Sequence, residues 1–359
     1  MVPVVTPAGD PMKLVRDYAL GRSVLTDARF SRAAAVQPHA PKLVGAEPVS
    51  ASMMSIDGAE HARLRRIVAG TFTSGRIAAM APEIEKLVDG HLDDIEAAGP
   101  GADVMTLLAE PLPLTVMCAL MGVPREDSER FQSWVTVLFD ISASTPQDKV
   151  RHRVRLARYM TELVGRKRRE PGRDLLTALI QRHDGGELSM TELVTMGLAL
   201  LMAGYETTIG QIGLSVLSLL SDPALREAFL QRPEPALEEL LRLNPSTPAS
   251  FPRVATETVR LGEATIEAGE AVLVSLIDAN RDERVFGQPA APQRRRAAHL
   301  TFGHGPHRCP GAPLARLQVR TAAERLLRRF PAVRLAESEP VVWREGLLTR
   351  GLTRLSVQW

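Results

Sequence analysis

Phe302-Gly303-His304-Gly305-Pro306-His307-Arg308-Cys309-Pro310-Gly311 is the stretch that decides how this chain is read. It lies just ahead of a helical pattern that begins near Ala312. Gly303, Gly305 and Gly311 permit backbone shapes that side chains would block, so the Cys309 thiol can approach a large flat ligand closely. The following helix N-terminus, with Arg308 and His307 nearby, favours the thiolate. A lone cysteine usually reads as an inert structural thiol, but the pattern around this one argues for chemistry. Zinc is excluded, because no second Cys or His pair lies at ligand spacing. Gly303-x-Gly305 also fails as a dinucleotide fingerprint. The third glycine position falls on Arg308, and no βαβ unit surrounds it.

Outward from this loop, the pattern is mostly helical. Short β-like pieces at Val2–Val5 and Met12–Val15 precede a helical stretch around Ala19–Leu25. Asp57 and Glu60 have capping-box spacing and open the helix that carries HARLRRIV, as Ser189 and Glu192 open a long helix running to about Leu220. Gly99-Pro100-Gly101 and Gly122-Val123-Pro124 punctuate the region between. Asp222-Pro223 reads as a cap with proline at the first helical position, and Pro235–Leu243 as a short helix. Val254–Asn280 carries β-type runs separated by glycine, as in a small antiparallel sheet. An irregular Pro- and Arg-rich loop, Gly287–Ala298, leads to the cysteine loop, and a final helix spans about Ala312–Arg329. The class is α+β, mostly α, with the two chain ends expected to meet in one small sheet.

Composition narrows the partners. Lys plus Arg number 44 against 42 Asp plus Glu, so no single-sign field advertises nucleic acid or a membrane. Aromatic residues at 4% leave few rings for base stacking. Arg151–Arg173 is basic but reads as helix ends and a surface loop. The nearly apolar run Leu193–Tyr205 stops at Glu206, well short of the roughly 20 residues a membrane span needs. The N-terminus has no basic and apolar signal regions, so a soluble cytoplasmic protein is expected. Cys118 sits in an apolar helix and reads as a core thiol. His39, His91, His152 and His183 show no convergent partners.

The cysteine loop resembles the signature of the cytochrome P-450 family, the haem-thiolate monooxygenases, in its bacterial soluble form. Every fixed position of Phe-Gly-x-Gly-x-His-x-Cys-x-Gly is matched, and the resemblance runs from about Val4 to Val357. It implies a single domain over residues 1–359, with a long central helix over haem b (iron protoporphyrin IX) and Cys309 as the iron's axial ligand. Family members usually begin with a further helix. Its absence here implies either a more open channel mouth or a start that lies upstream.

Three other constellations join the resemblance. Glu239 and Arg242 share a helix face at i, i+3. In the family this pair is buried and tied to a later Arg-Phe. Here Ala291 and Pro292 stand in that place, with Arg294, Arg295 or Arg296 as substitutes. On the long helix, Leu200, Ala203, Thr207 and Gln211 fall on one face. A mid-helix threonine commonly bonds back to the i−4 carbonyl. The resemblance instead makes Ala203–Thr208 the oxygen-activation segment, locally distorted, with Thr207 hydrogen-bonding during oxygen activation and Glu206 relaying protons. His61 and Arg65, at i, i+4, can reach one anion. With Arg253 and His307 they would form a cage for the haem carboxylates, and His299 is a weaker candidate. Arg63 and Arg66 read as a solvated basic face on which an acidic redox protein would dock.

The expected function is insertion of oxygen from O2 into a small organic substrate, in bacterial specialised metabolism. Electrons would come from a separate ferredoxin or flavodoxin with its reductase. Two alternatives stand beside it: oxidative coupling or ring formation by the same machinery, and a non-catalytic haem protein that binds a ligand or recruits a partner. The resemblance places the substrate pocket near Ala203, Ala249, Phe251 and Leu348, with the loop between Ala33 and Met53.

Overall fold

The computed structural model describes residues 1–44, 52–70, 72–124, 127–141, 144–287, 297–337 and 339–359, with the side chains of 128–132 outside that description. Helices carry about 58% of the chain. The organising element is the helix Met190–Ser221. Both halves of its capping box form: Ser189 Oγ accepts from the Glu192 N–H, and Glu192 accepts from the Ser189 N–H. Its flanks pack against the helices Pro111–Met121, Pro146–Arg169 and Ala312–Arg329. Close packing is built in by glycine. A Cβ on Gly204 would come within 2.5 Å of the Met117 sulfur, so the soft thioether fills the place of the missing side chain. This helix is long and apolar enough to cross a membrane, yet its neighbours bury it as a core element.

A five-stranded sheet flanks the helices in the order Val2–Val5, Pro11–Val15, Ala271–Val274, Arg253–Ala255, Phe30–Ser31. Only the pairing of Pro11–Val15 with Ala271–Val274 is parallel. Val259–Leu261 and Ala264–Ile266 form a separate antiparallel hairpin. The chain ends do not meet in one sheet, contrary to the expectation. The C-terminal strand Ser356–Gln358 pairs with Ala102–Asp103 and Arg334–Leu335. Val357 is fully buried in the helical core, whereas the N-terminal strands pack in separate apolar clusters. Burial in different apolar clusters commits the two ends to different sheets.

Asp57 precedes the helix Gly58–Ala69, but its side chain makes no capping bond. It turns away to accept from Ser31 Oγ (2.7 Å), from the Ala33 N–H (2.8 Å) and from His307 Nε2 (3.1 Å). Arg63 departs from expectation too. It is no solvated cation, because its guanidinium binds Glu60, the Glu187 carbonyl and Glu192, pinning this helix to the start of the long one. Several other expected bounds hold, although the helix expected from Pro235 begins at Pro233 and the β reading of Val254–Asn280 ends in the short helix Leu276–Ala279. Gly99 and Gly122 end helices with positive φ, Asp222 caps Pro223–Gln231, and the last helix spans Ala312–Arg329.

Arg242 is buried and forks onto Glu239, with Nε to Oε2 at 2.8 Å and Nη2 on Oε1. Among the described residues it also binds a backbone group: Nη1 donates to the Asn280 carbonyl at 2.5 Å. Arg294, Arg295 and Arg296 lie outside the described residues. Asn280 is itself fully buried, accepts from the Leu300 N–H and donates to Thr301 Oγ1. The network therefore fastens the helix Pro233–Leu243 to the segment leading into the cysteine loop. Removing one partner of a buried ion pair costs about 3–5 kcal/mol, and the partial exposure of Glu239 points to the lower end. Arg242→Leu is expected to lower unfolding free energy by about 3 kcal/mol in urea, and a loss below 1 kcal/mol would show the pair to be ornamental.

Candidate active site

The cysteine loop is closed by the Cys309 N–H donating to the Phe302 carbonyl at 2.8 Å. Gly303 and Gly305 take φ of +70° and +71°, where L side chains are strained, and a Cβ on Gly305 would sit 2.6 Å from the Leu25 carbonyl oxygen. Gly311 has an ordinary φ of −80°, so the close-approach argument applies only through its missing side chain, 3.9 Å from the Cys309 sulfur. Cys309 is solvent-accessible. The surrounding protein still desolvates its thiol and pushes it up, against the pull of the Gly311 and Ala312 N–H groups and of Arg65 and Arg308. Arg65 donates to the Arg308 carbonyl, which holds its charge beside the sulfur.

Behind the loop, Phe302 lies beneath the Arg316 guanidinium, 4.5 Å from the ring centroid. Arg316 forks onto Glu238, which also meets His299 at 3.3 Å. Burial pushes Glu238 up, but His299 and Arg316 outweigh it and bring it to about 2. His299 thus belongs to this cluster and not to the anion cage.

The cage itself assembles from four elements. His61 and His307 stack with centroids 4.1 Å apart. Burial, with His307 and Arg65 adding to it, lowers His61 to about 4, and burial also lowers His307 despite Asp57. Both rings are neutral near pH 7, so the charge of the cage comes from arginine. Arg253 is buried, donates Nη1 to the Phe30 carbonyl at 3.0 Å, and leaves its buried Nε without a partner. Beside it stands Arg32, which sequence reading missed. Its Nε donates to the Met54 carbonyl at 3.0 Å and its Nη1 to the Pro252 carbonyl. Burial and then Arg253 lower it to about 10. Asp57, the acid facing these groups, is held well below its ordinary range: burial pushes it up, and bonds from His307, Ala33 and Ser31 more than offset that.

Arg32 and Arg253 face the single carboxylate of Asp57, while Arg65 stands beside His61 and Cys309, so three guanidinium groups meet one carboxylate, an excess of two positive charges. A buried excess needs anions, and an orphaned guanidinium Nε needs an acceptor. A flat dicarboxylate such as haem supplies both, with a thiol positioned to bind its metal. The donor set fits the group.

On the long helix, Ala203 is exposed and Thr207 half-buried, although most of their neighbours are core. The helix is continuous from Met190 to Ser221, so the expected distortion at Ala203–Thr208 does not interrupt it. Thr207 Oγ1 donates to the Ala203 carbonyl at 2.8 Å, and Thr208 likewise to Gly204. Leu200 and Gln211 share that helix face but are covered by other parts of the chain. Leu200 is core, and Gln211 is buried, binding the Ser246 N–H and the Asn244 carbonyl. Glu206 is buried and held by Arg344 and Thr349, two partners that no spacing rule predicts. Phe251 is 52% exposed and lies 5.1 Å from the Arg32 guanidinium. Ala249 bridges Ser275, and the Leu348 N–H donates to the Phe139 carbonyl at 3.3 Å. Residues 45–51 of the expected pocket loop lie outside the described residues.

Comparison with known proteins agrees with this geometry. The family profile described as Cytochrome P450 matches residues 234–350. Nocardicin C N-oxygenase of Nocardia uniformis subsp. tsuyamanensis is 41% identical over 98% of this chain and 91% of its own length. Mycinamicin IV hydroxylase/epoxidase of Micromonospora griseorubida is 39% identical over 98% and 91%. The crystal structure of HinD with NMFT and NO superposes with a TM-score of 0.93 at 40% identity, covering 100% of this chain and 92% of that one. With its cysteine loop, arginine cage and long central helix, the chain belongs to the cytochrome P450 family of haem monooxygenases.

Proposed function

We propose that Cys309 ligates the iron of haem b and that Arg32, Arg65, Arg253, His61 and His307 hold its carboxylates, in an enzyme that oxygenates an apolar-bodied specialised metabolite in the bacterial cytoplasm. The observation that carries this is the accessible thiol beside a cage with two uncompensated positive charges and an orphaned Arg253 Nε. When bound, the haem supplies the iron at which O2 is activated, with electron donation from the thiolate favouring O–O cleavage. Everything else falls to the chain. The Gly311 and Ala312 N–H groups and Arg65 stabilise negative charge on the sulfur. His61, neutral, donates a hydrogen bond without adding charge, and Asp57 orients His307. Thr207 spends its proton on the Ala203 carbonyl, so its oxygen is left to accept a hydrogen bond from a donor in the cleft. Glu206 relays protons to the same place.

The half-exposed Phe251 ring, with Ala203, Ala249 and Leu348, supports an apolar substrate body; the relatives that act on nocardicin C and mycinamicin IV support a specialised metabolite. The presence of both Glu206 and Thr207 favours catalysis over a retired, ligand-holding role. The test is a spectral-shift screen of a natural-product library, followed by oxygen uptake with each binder. Uptake that rises with a binder, with one atom of labelled O2 in the product, is the expected result; binders that never stimulate uptake would leave a ligand-binding protein.

Electrons are expected from a separate ferredoxin or flavodoxin with its reductase, docking on the thiolate side. Arg63 is committed to Glu60 and Glu192, so the docking charges are the exposed Arg66 and Arg308. Steering by exposed charge is screened over about 8 Å at physiological salt. Arg66→Glu and Arg308→Glu should each slow ferredoxin-driven reduction several-fold at low salt, with the gap closing as salt rises. Stopped-flow rates that ignore both charge reversals would move the donor to another face.

A further inference from the structure

Glu206 has 3% of its side chain exposed, and both of its partners come from one short segment near the C-terminus. Arg344 Nη1 donates to Oε1 at 2.6 Å and Thr349 Oγ1 approaches the same oxygen at 3.4 Å. Between them lies Leu348, whose own N–H is fastened to Phe139. Arg344 does not belong to Glu206 alone. Its Nη2 donates at 3.0 Å to Glu110, which precedes the helix Pro111–Met121. One guanidinium therefore serves two carboxylates, one on the long helix and one just ahead of the helix Pro111–Met121, from a distant segment of the chain. Burial pushes both carboxyls up and Arg344 pulls both down, with Asp103 the next negative charge, beyond Glu110.

We infer that Arg344 is a positioning residue for the acid of the long helix: shared between Glu206 and Glu110, it ties the charge on Glu206 to the position of residues 344–349, and so to what fills the cleft beside Leu348. The physical ground is the asymmetry of a buried pair. A carboxylate already penalised by burial stays ionised only while its counter-charge is close, and it takes a proton when that charge moves off. Thr349 lies in the same segment as Arg344, so a shift of that segment acts on both donors to Glu206. Glu110 keeps the guanidinium paired meanwhile, which spares the cost of an unpaired buried cation. The consequence for catalysis rests on the relay role proposed for Glu206. The segment that lines the pocket would then set when the acid holds a proton.

The test is an infrared titration of the holoenzyme labelled with carbon-13 glutamate, using Glu206→Gln as the subtraction that isolates the Glu206 carboxyl band. Arg344→Gln should raise the midpoint of that band by at least one pH unit, a tenfold change in proton affinity. Arg344→Lys should restore most of the shift. Glu110→Gln should lower the midpoint, because Arg344 is then left to Glu206 alone. The signature is that Glu110→Gln lowers the midpoint more when Arg344 is present than in Arg344→Gln, because loss of the Glu110 charge alone lowers it equally in both backgrounds. An unchanged midpoint in Arg344→Gln or in Glu110→Gln, or shifts of one sign in both, overturns the inference. Each variant is checked for fold by its carbon monoxide spectrum, and if Arg344→Gln fails to fold, the other two carry the test. The relay reading fails separately, if Glu206→Gln makes product at the wild-type rate while the titration behaves as expected.

Discussion

Cys309→Ala is expected to abolish the red-shifted Soret band that the reduced protein gives with carbon monoxide, and with it all oxygenation. The band reports a thiolate on the iron, and no other thiol in the chain can substitute. Cys118, the one other cysteine, is buried in the helix Pro111–Met121, where burial raises it to about 11. It is an inert core thiol with no path to the cage. Among the described residues, no group of three or more His, Cys, Asp or Glu side chains is arranged to capture a metal instead. The arginine cage is untouched by the substitution, so haem can still be retained through its carboxylates, and the expected species is haem-bound but without the thiolate spectrum. Cys309→Ser, which keeps the size and removes the sulfur, should behave the same way. An unshifted, full-amplitude band in either variant would place the ligand elsewhere and sink the assignment of every residue around it.

What the sequence made legible was local. The cysteine loop is a matter of fixed spacing within ten positions, and its two positive-φ glycines stand where the spacing put them. The capping box at Ser189 and the i, i+4 placement of His61 and Arg65 rest on helix geometry, which short windows capture. The rest depended on contacts between distant parts of the chain. Arg344 meets Glu206 from 138 positions away, and Asp57 meets His307 from 250. Asp57 is instructive, because its capping spacing was sound and it still lost its side chain to a histidine and a serine brought in by the fold. Arg63 was misread for the same reason, its decisive partner Glu192 lying on another helix. The bond from Arg242 to Asn280 was invisible in another way, since its acceptor is a backbone carbonyl and a search for charged side chains cannot find it. The pairing of the terminal strands was illegible because strands of two to five residues carry too little pattern to choose a partner.

Thr207→Ala is expected to keep folding, haem content and electron flow, while diverting reducing equivalents from product to hydrogen peroxide. Folding should survive because, among the described residues, the hydroxyl bonds only to the Ala203 carbonyl of its own helix, and alanine is the best helix former. The loss falls instead on the accessible side of the helix, where the half-buried Thr207 oxygen stands one turn from the exposed Ala203. Without it, a donor in the cleft loses its acceptor, and proton delivery is no longer confined to the productive route. A tenfold fall in the ratio of product to peroxide corresponds to about 1.4 kcal/mol, the scale of a single hydrogen bond. Two controls separate this from a general disturbance of the helix. Thr207→Ser keeps the hydroxyl and should keep the coupling. Thr208→Ala removes a hydroxyl that is buried against Gly204 and should leave coupling near wild type. Glu206→Gln should differ from all of these, slowing turnover more than it leaks peroxide, because it removes a proton carrier and not an acceptor. The measurement is product formed per electron donor consumed, with peroxide assayed in parallel. Unchanged coupling in Thr207→Ala would mean that the substrate brings its own hydroxyl or that oxygen activation in this cleft bypasses the residue, and the hydrogen bond to Ala203 would then be its whole role.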